Sequence, residues 1–344
     1  MKVFISVICI VFAVLLIAEP KAASEAVGGA VGDCLNVIVP SLFAFTALSI
    51  YLQKSGIYRV ALRPVTFPLS KILRMDEELC AVFVLSNIGG YPVGARLLSE
   101  LVAEGRLSAK DAGRMMCCCF GSGPSFVVGI VGMCVFDSAK AGLALFAVCF
   151  MTSLMMAAIV RAGGEIRLEK REERFDLSSD TFVSSVTGSA RVMFTVCVMI
   201  VGFSVITAIF RHIGVFSLFE RLFGSAEVFP ALMEVTRIKD VLPTDYALPL
   251  CAALLSFGGV CVWLQIKALA KGIPLRRFFV SRTAAAALSA LLSMPFSRKF
   301  TPAEIPVIAP NTVPEPFTKN AVLSLCVLIM CGILLAGARK SSRP

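Results

Sequence analysis

The sequence predicts an all-α polytopic integral membrane protein built from two repeats, expected to be inverted and to contain glycine-broken, re-entrant helices. Three observations carry this reading. Of the 344 residues, 57% are hydrophobic and 16% charged, and a mean hydropathy of +0.85 leaves too little polar surface to cover a water-soluble domain. Nine uncharged apolar runs approach the ~17 to 25 residues that cross a hydrocarbon core of about 30 Å. Glycine pairs interrupt two of these runs, at Gly89 and Gly90 and at Gly258 and Gly259.

The runs follow in order. Val3 to Ala18 starts behind Lys2 and is followed by the small residues Ala22, Ala23 and Ser24. That pattern suits a signal peptide, but the apolar core is long for one, so a membrane segment over residues 1–30 is expected. A first half, 31–160, holds Cys34 to Gln53, an amphipathic basic stretch Y-R-V-A-L-R-P-V-T-F-P-L-S-K-I-L-R, then Leu79 to Ala95, Met115 to Phe136 and Ala141 to Val160. Mixed charges from Arg161 to Asp180 read as a solvated linker or a short surface helix, within a linker assigned to 161–188. The second half, 189–297, holds Val192 to Phe210, the amphipathic F-S-L-F-E-R-L-F, Tyr246 to Ile266 and Thr283 to Ser297. In 298–344, prolines at 302, 306, 310, 314 and 316 mark an extended spacer before Asn320 to Ala338.

The halves share an order of events. Each has an apolar run ending at a glycine, Gly56 or Gly214, then an amphipathic stretch, then a run broken by a glycine pair, then an arginine that opens another run, Arg114 or Arg282. Paired interruptions in two halves are the signature of transporters built from structural repeats. The freed backbone groups are tolerable at membrane depth only where they line a cavity or are buried in protein. Whether Leu79 to Gly105 and Tyr246 to Gly272 cross or return sets the topology; if both return, the repeats are inverted. Basic stretches at Lys54 to Arg74, Arg106 to Arg114, Arg161 to Arg174 and Arg339 to Arg343 compete for the cytoplasmic side.

At S-N-I-G-G-Y-P-V-G-A-R, followed by R-L-S-A-K-D-A-G-R and C-C-C-F-G-S-G-P-S-F-V-V-G-I-V-G, the chain resembles the YlbJ-type sporulation integral membrane proteins. These belong to a broader group with the nucleoside recognition, or Gate, domain, which also occurs in spore maturation proteins, ferrous-iron transporters and concentrative nucleoside transporters. V-P-S-L-F-A-F, M-E-V-T, S-F-G-G-V and the Arg282 segment fall in the family's order, so the resemblance covers roughly residues 30 to 300 and makes the two halves Gate-like repeats. It implies a sporulating bacterium, a multi-pass protein of the cell membrane and a role in the spore envelope, especially its cortex. Two departures stand out. Phe120, Gly121 and Ser122 replace the asparagine character usual before the Gly-Pro, and apolar Val260, Cys261, Val262 and Trp263 follow the second glycine pair. This member is therefore expected to take a different solute, or none.

Candidate substrate-binding residues come from both breaks. Ser86, Asn87, Gly89, Gly90 and Pro92 offer freed amides and polar side chains to a ligand; the competing role is close helix packing with Asn87 as a cap. Arg96 ends a run of about 25 Å as a helix and suits interfacial snorkelling as well as substrate contact. Gly121, Ser122, Gly123, Pro124 and Ser125 break their run near its middle, where proline removes a donor, and suggest a lined cavity. In the second half the candidates are Glu234, Thr236, Gly258, Gly259, Gln265 and Arg282. Glu234 suits a coupling cation or a ribose hydroxyl, or else an interfacial pair with Arg237.

Other chemistries find little support. The net charge of +10 reads as span-flanking Lys and Arg beside anionic lipid, not as nucleic-acid binding. The thirteen cysteines lie almost all inside apolar runs as small hydrophobes. Cys117, Cys118 and Cys119 point about 100° apart on a helix and cannot face one metal ion. No catalytic motif appears, and His212 is the only histidine, so neither an enzyme nor a cofactor is expected. The leading expectation is a permease for a small polar solute, nucleoside-like or cortex-related. The alternative is a non-transporting scaffold for other spore-assembly membrane proteins.

Overall fold

The computed structural model describes residues 2–169, 175–223, 228–240 and 246–300. The proline spacer, the run Asn320 to Ala338, the basic tail and residues 170–174 of the expected linker lie outside the described residues. Besides a helical turn at Tyr58–Ala61, the regular elements are α1 Lys2–Ala18, α2 Pro20–Ser55, α3 Arg63–Leu73, α4 Glu77–Gly89, α5 Tyr91–Ala103, α6 Ala109–Met115, α7 Pro124–Phe136 and α8 Ala139–Ala162. They continue with α9 Ser179–His212, α10 Val215–Phe223, α11 Val228–Met233, a 3-10 turn Val235–Asp240, α12 Ala247–Phe257, α13 Gly259–Leu269 and α14 Arg276–Ser297. Pro20–Ser55, Ala139–Ala162, Ser179–His212, Ala247–Leu269 and Arg276–Ser297 are long and apolar enough to cross a bilayer. The chain is an all-α, multi-pass integral membrane protein, as lipid demands of backbone that must satisfy itself.

Short polar side chains start the helices. The Asp76 carboxylate accepts from Glu78 N (2.8 Å), and Ser108, Ser138 and Ser178 accept from the amides three residues on, satisfying donors that the first turn leaves free. The Ser178 cap starts α9 at Ser179, inside the stretch assigned to the linker. Residues 163–169 and 175–178 are irregular instead of forming a surface helix. Pro40 follows a π-helical turn at Cys34–Ile38 inside α2; the wider turn accommodates a ring that lacks an N–H and crowds the turn before it.

Helices α2 and α9 lie antiparallel. Lys54 Nζ donates to Ser184 Oγ (3.3 Å), Ser189 Oγ to the Phe43 carbonyl (3.1 Å), and Glu19 pairs with His212 (2.8 Å). These contacts define a Lys54 end and a His212 end of the bundle. Arg161 Nε donates to the Arg74 carbonyl (2.8 Å), Glu169 N to the Arg106 carbonyl (2.9 Å), Arg114 Nη2 to the Gly164 carbonyl (2.6 Å) and Asp176 N to the Ser55 carbonyl (3.1 Å). The described basic stretches that compete in the sequence therefore share the Lys54 end.

The two glycine-broken runs take different paths. Arg106 Nη2 meets Glu78 Oε2 at 2.6 Å, joining the start of α4 to the segment after α5. A Cβ on Gly94 would lie 3.0 Å from Ser86 Oγ, whereas those positions on one straight helix are about 12 Å apart. The chain thus folds back at Gly90 (φ 93°, ψ 170°), a backbone region that only glycine enters readily. Helices α4 and α5 form a re-entrant hairpin that opens and closes at the Lys54 end.

Tyr246 to Gly272 crosses instead. Helix α12 runs antiparallel to α14, with Ser289 Oγ donating to the Ala252 carbonyl (2.9 Å). The loop after α13 returns to the Lys54 end, where a Cβ on Gly113 of α6 would lie 2.6 Å from the Pro274 carbonyl. A further crossing consists of α6, the irregular segment 116–123 and α7.

Two outcomes are expected. A Cβ at Gly94 would collide with the Cys119 carbonyl, so Gly94→Ala should cost about 2 kcal/mol of stability while Gly28→Ala, with nothing within 4 Å, costs little; thermal melts in detergent measure both. The basic end should face the cytoplasm. Cysteine at exposed Lys140, at the His212 end, should react with a membrane-impermeant thiol reagent on intact cells, and cysteine at exposed Glu104 only after permeabilisation.

Candidate functional site

Asn87 Nδ2, at the hairpin tip, donates to the Phe83 carbonyl (2.8 Å) and reaches the Cys118 carbonyl at 3.5 Å. A Cβ on Gly121 would sit 2.6 Å from Asn87 Oδ1, and one on Gly123 would sit 3.1 Å from the Ile88 carbonyl. Glycine at these positions lets the irregular segment pass directly over the tip. The second half repeats the contact with other elements. A Cβ on Gly259 would lie 3.2 Å from the Leu232 carbonyl and 3.3 Å from Val235 N, so the junction of α11 with the 3-10 turn rests on the break between α12 and α13. Helix α11 approaches from the His212 end, where Phe229 packs against Phe210, Phe216 and Phe219.

The two broken crossings meet at Phe120. Its ring fills the space that a side chain on Gly258 would need, and it packs on Tyr91 (4.6 Å between centroids) and Phe278 (5.2 Å). Tyr91 Oη donates to the Leu255 carbonyl (2.7 Å). The Arg282 side chain, 2% exposed, lies over Phe120 (4.7 Å) and Phe278 (5.3 Å). Its Nη2 donates to the Cys117 carbonyl and Nη1 to the Ser256 carbonyl (3.5 Å). Both carbonyls lie at helix C-terminal ends, where a cation is favoured. Among the described residues no carboxylate pairs with Arg282, and its Nε has no partner. Arg114 also holds a helix end, that of α8, donating to the Val160 (2.9 Å) and Gly164 carbonyls, but unlike Arg282 it is paired with a carboxylate, Asp111 (2.9 Å).

Beside this junction lies a cavity with about 30 Å³ of free space, lined by Tyr91, Pro92, Ser122, Glu234, Thr236 and Gln265 together with apolar side chains that include Ile38, Phe126 and Cys261. The Glu234 carboxylate, 2% exposed, accepts from Thr236 N (3.0 Å) and Thr236 Oγ1. Arg237 Nε stands 3.8 Å from its other oxygen. The pair foreseen in the sequence forms, with the carboxylate buried at the cavity wall. Gln265 Nε2 donates to Cys261 Sγ (3.3 Å).

The structure thus brings Pro92, Ser122, Glu234, Thr236 and Gln265 together. Ser86 and Asn87 stand behind the wall, the Ser86 hydroxyl donating to the Val82 carbonyl (2.5 Å). Gly89 packs under Ser49, and Arg96 pairs with Glu100 (2.6 Å) against Gly188 of α9. Gly90, Gly121, Gly123, Gly258 and Gly259 shape the breaks, Pro124 starts α7 and Ser125 is half-buried in its first turn. Tyr91 and the π-helical turn that carries Ile38 were not singled out in the sequence, and Phe120 stood out there only as a departure from the family's pattern. Their signals are an aromatic beside each glycine cluster and a proline inside an apolar run.

Among curated proteins the chain is similar to the sporulation integral membrane protein YlbJ of Bacillus subtilis (strain 168), 29% identical over 152 residues. The match covers 43% of this chain and 36% of that protein, so the chain matches about a third of its relative's length. No family model matches the chain, and no solved structure matches it.

Arg282→Ala removes the group that holds both carbonyl ends together. It should lower unfolding stability by about 3 kcal/mol, read as a drop in melting temperature in detergent, with Arg282→Lys intermediate. An unchanged melt would show that the guanidinium is not the tie between the two crossings.

Proposed function

We propose that the chain is a sporulation-associated permease that moves a small polar solute through the cavity between its two halves. One observation carries this: Pro92 and Ser122 from the first half and Glu234, Thr236 and Gln265 from the second converge on a single cavity beside the helix breaks, the arrangement that transporters use near the membrane midplane. The halves are read as inverted repeats. In support, the hairpin enters from the Lys54 end and α11 from the His212 end, each covered by a broken crossing. On this reading the segment 116–123 corresponds to Gly258 and Gly259, and the hairpin tip to the junction after α11. That pairing differs from the match of glycine pairs along the sequence.

The lining narrows the solute class. Among the described residues its polar groups are one carboxylate, hydroxyls and an amide, and no Lys or Arg lines it. A neutral or cationic solute rich in hydroxyl or amine donors fits; an anionic, nucleotide-like precursor does not. Free space of about 30 Å³ is far below the roughly 300 Å³ or more of pockets that hold small-molecule ligands, so rocking of one half against the other is needed to admit a solute. The link to sporulation rests on the similarity to YlbJ, and the link to the cortex on the family resemblance. A scaffold without transport is favoured by one observation, that the Ser86 and Asn87 side chains are committed to neighbouring carbonyls.

Thermal stability across nucleosides, amino sugars, amino acids and peptidoglycan precursors separates the readings. A ligand of the folded state at a hundred times its Kd stabilises by ~2.7 kcal/mol. A rise in melting temperature confined to one neutral or cationic class, and lost in Glu234→Ala, is expected of the permease. A well-folded protein that shifts with no compound, and whose cellular role fails instead on replacing the segment 163–178, would be a scaffold.

A further inference from the structure

We propose that the groove between α8 and α14 at the Lys54 end binds the headgroup of an anionic phospholipid. The groove is a separate cavity of about 520 Å³, with Arg114, Arg276 and Arg277 at its polar rim and Met156, Ile159 and Val280 along its apolar wall. Arg276 and Arg277 are exposed. Among the described residues, no carboxylate lies within ion-pair distance of either, and neither side chain donates a hydrogen bond inside the protein. Arg114 already serves backbone carbonyls and pairs with Asp111 (2.9 Å), so the free charge at the rim is that of Arg276 and Arg277. Among the described residues no Asp or Glu lines the groove.

A second feature adds to the positive field. The first N–H groups of α14, a helix of 22 residues, have no side-chain cap at Leu275; they open beside Arg276 and Arg277 and favour an anion. Guanidinium forks match phosphate oxygens in geometry as well as charge.

The apolar wall decides the source of the phosphate. Ile159 is 60% and Val280 69% exposed, on the outward faces of two spanning helices, so the groove opens to hydrocarbon as well as to the interface. Basic pockets between spanning helices on the cytoplasmic side are where lipid headgroups bind. A free phosphate would use the rim and leave the wall in contact with other lipid; a phospholipid uses both.

The test takes the full chain, delipidated in detergent, and titrates phosphatidylglycerol, phosphatidylcholine and inorganic phosphate while following the melting temperature. Phosphatidylglycerol should raise it more than phosphatidylcholine, and phosphate alone should not. The double variant Arg276→Gln, Arg277→Gln, altered only at exposed positions, should melt like the parent without lipid and bind phosphatidylglycerol roughly thirtyfold more weakly, the equivalent of two cationic contacts. The exposed far-end variant Arg298→Gln should bind it as the parent does. Equal shifts from both lipids, an equal shift from phosphate, or full retention in the double variant would each overturn the assignment.

Discussion

Backbone groups that a broken helix frees inside hydrocarbon must find partners within the protein, and the core of this structure is arranged around that demand. At the first break the irregular segment 116–123 is laid over the hairpin tip, where Asn87 meets the Cys118 carbonyl and glycines permit backbone contact. At the second, the junction of α11 with the 3-10 turn is laid over Gly259. Arg282 then holds carbonyls from both halves, with its guanidinium over the rings of Phe120 and Phe278. A buried cation with no carboxylate partner would be costly by itself. Here the C-terminal ends of discontinuous helices supply the negative potential, and the same contact that stabilises the charge satisfies the orphan carbonyls.

That solution places the cavity. Elements that stop at mid-depth bring their ends, not their flanks, to the centre, and the polar side chains at those ends come with them. Ser122 follows the Phe120 contact, Glu234 closes the end of α11 and Pro92 opens α5. The π-helical turn in α2 brings Ile38 to the same wall. Aromatic packing of Tyr91, Phe120 and Phe278 stands between the cavity and the buried Arg282 guanidinium. The electrostatic character of the cavity is therefore that of Glu234 and its neighbours, and this is what excludes anionic solutes in the proposed function.

Two kinds of information were written plainly in the chain. Composition and run length determined a multi-pass helical protein, because hydrocarbon admits no other use for such runs. The glycine pair at Gly89 and Gly90 and the cluster from Gly121 to Ser125 marked interruptions, because neither glycine nor proline extends a helix at low cost. Local likeness does not reveal the path that each interruption takes. L-S-N-I-G-G and L-S-F-G-G look alike, yet the first returns and the second crosses, since an Arg106 to Glu78 pair closes one and antiparallel packing on α14 carries the other across. The residues that decide between these paths lie far along the chain from the glycines.

By itself the sequence determined the environment, the all-helical class, the positions of the breaks and five of the side chains that line the cavity, since each of these follows from local composition and spacing. Only the tertiary structure decided that the basic stretches share one end, that Ser86 and Asn87 face backbone instead of the cavity, and that Arg282 joins the two crossings. Those outcomes depend on contacts such as Cys117 to Arg282, separated by 165 positions, and no local pattern encodes the partner of a backbone carbonyl.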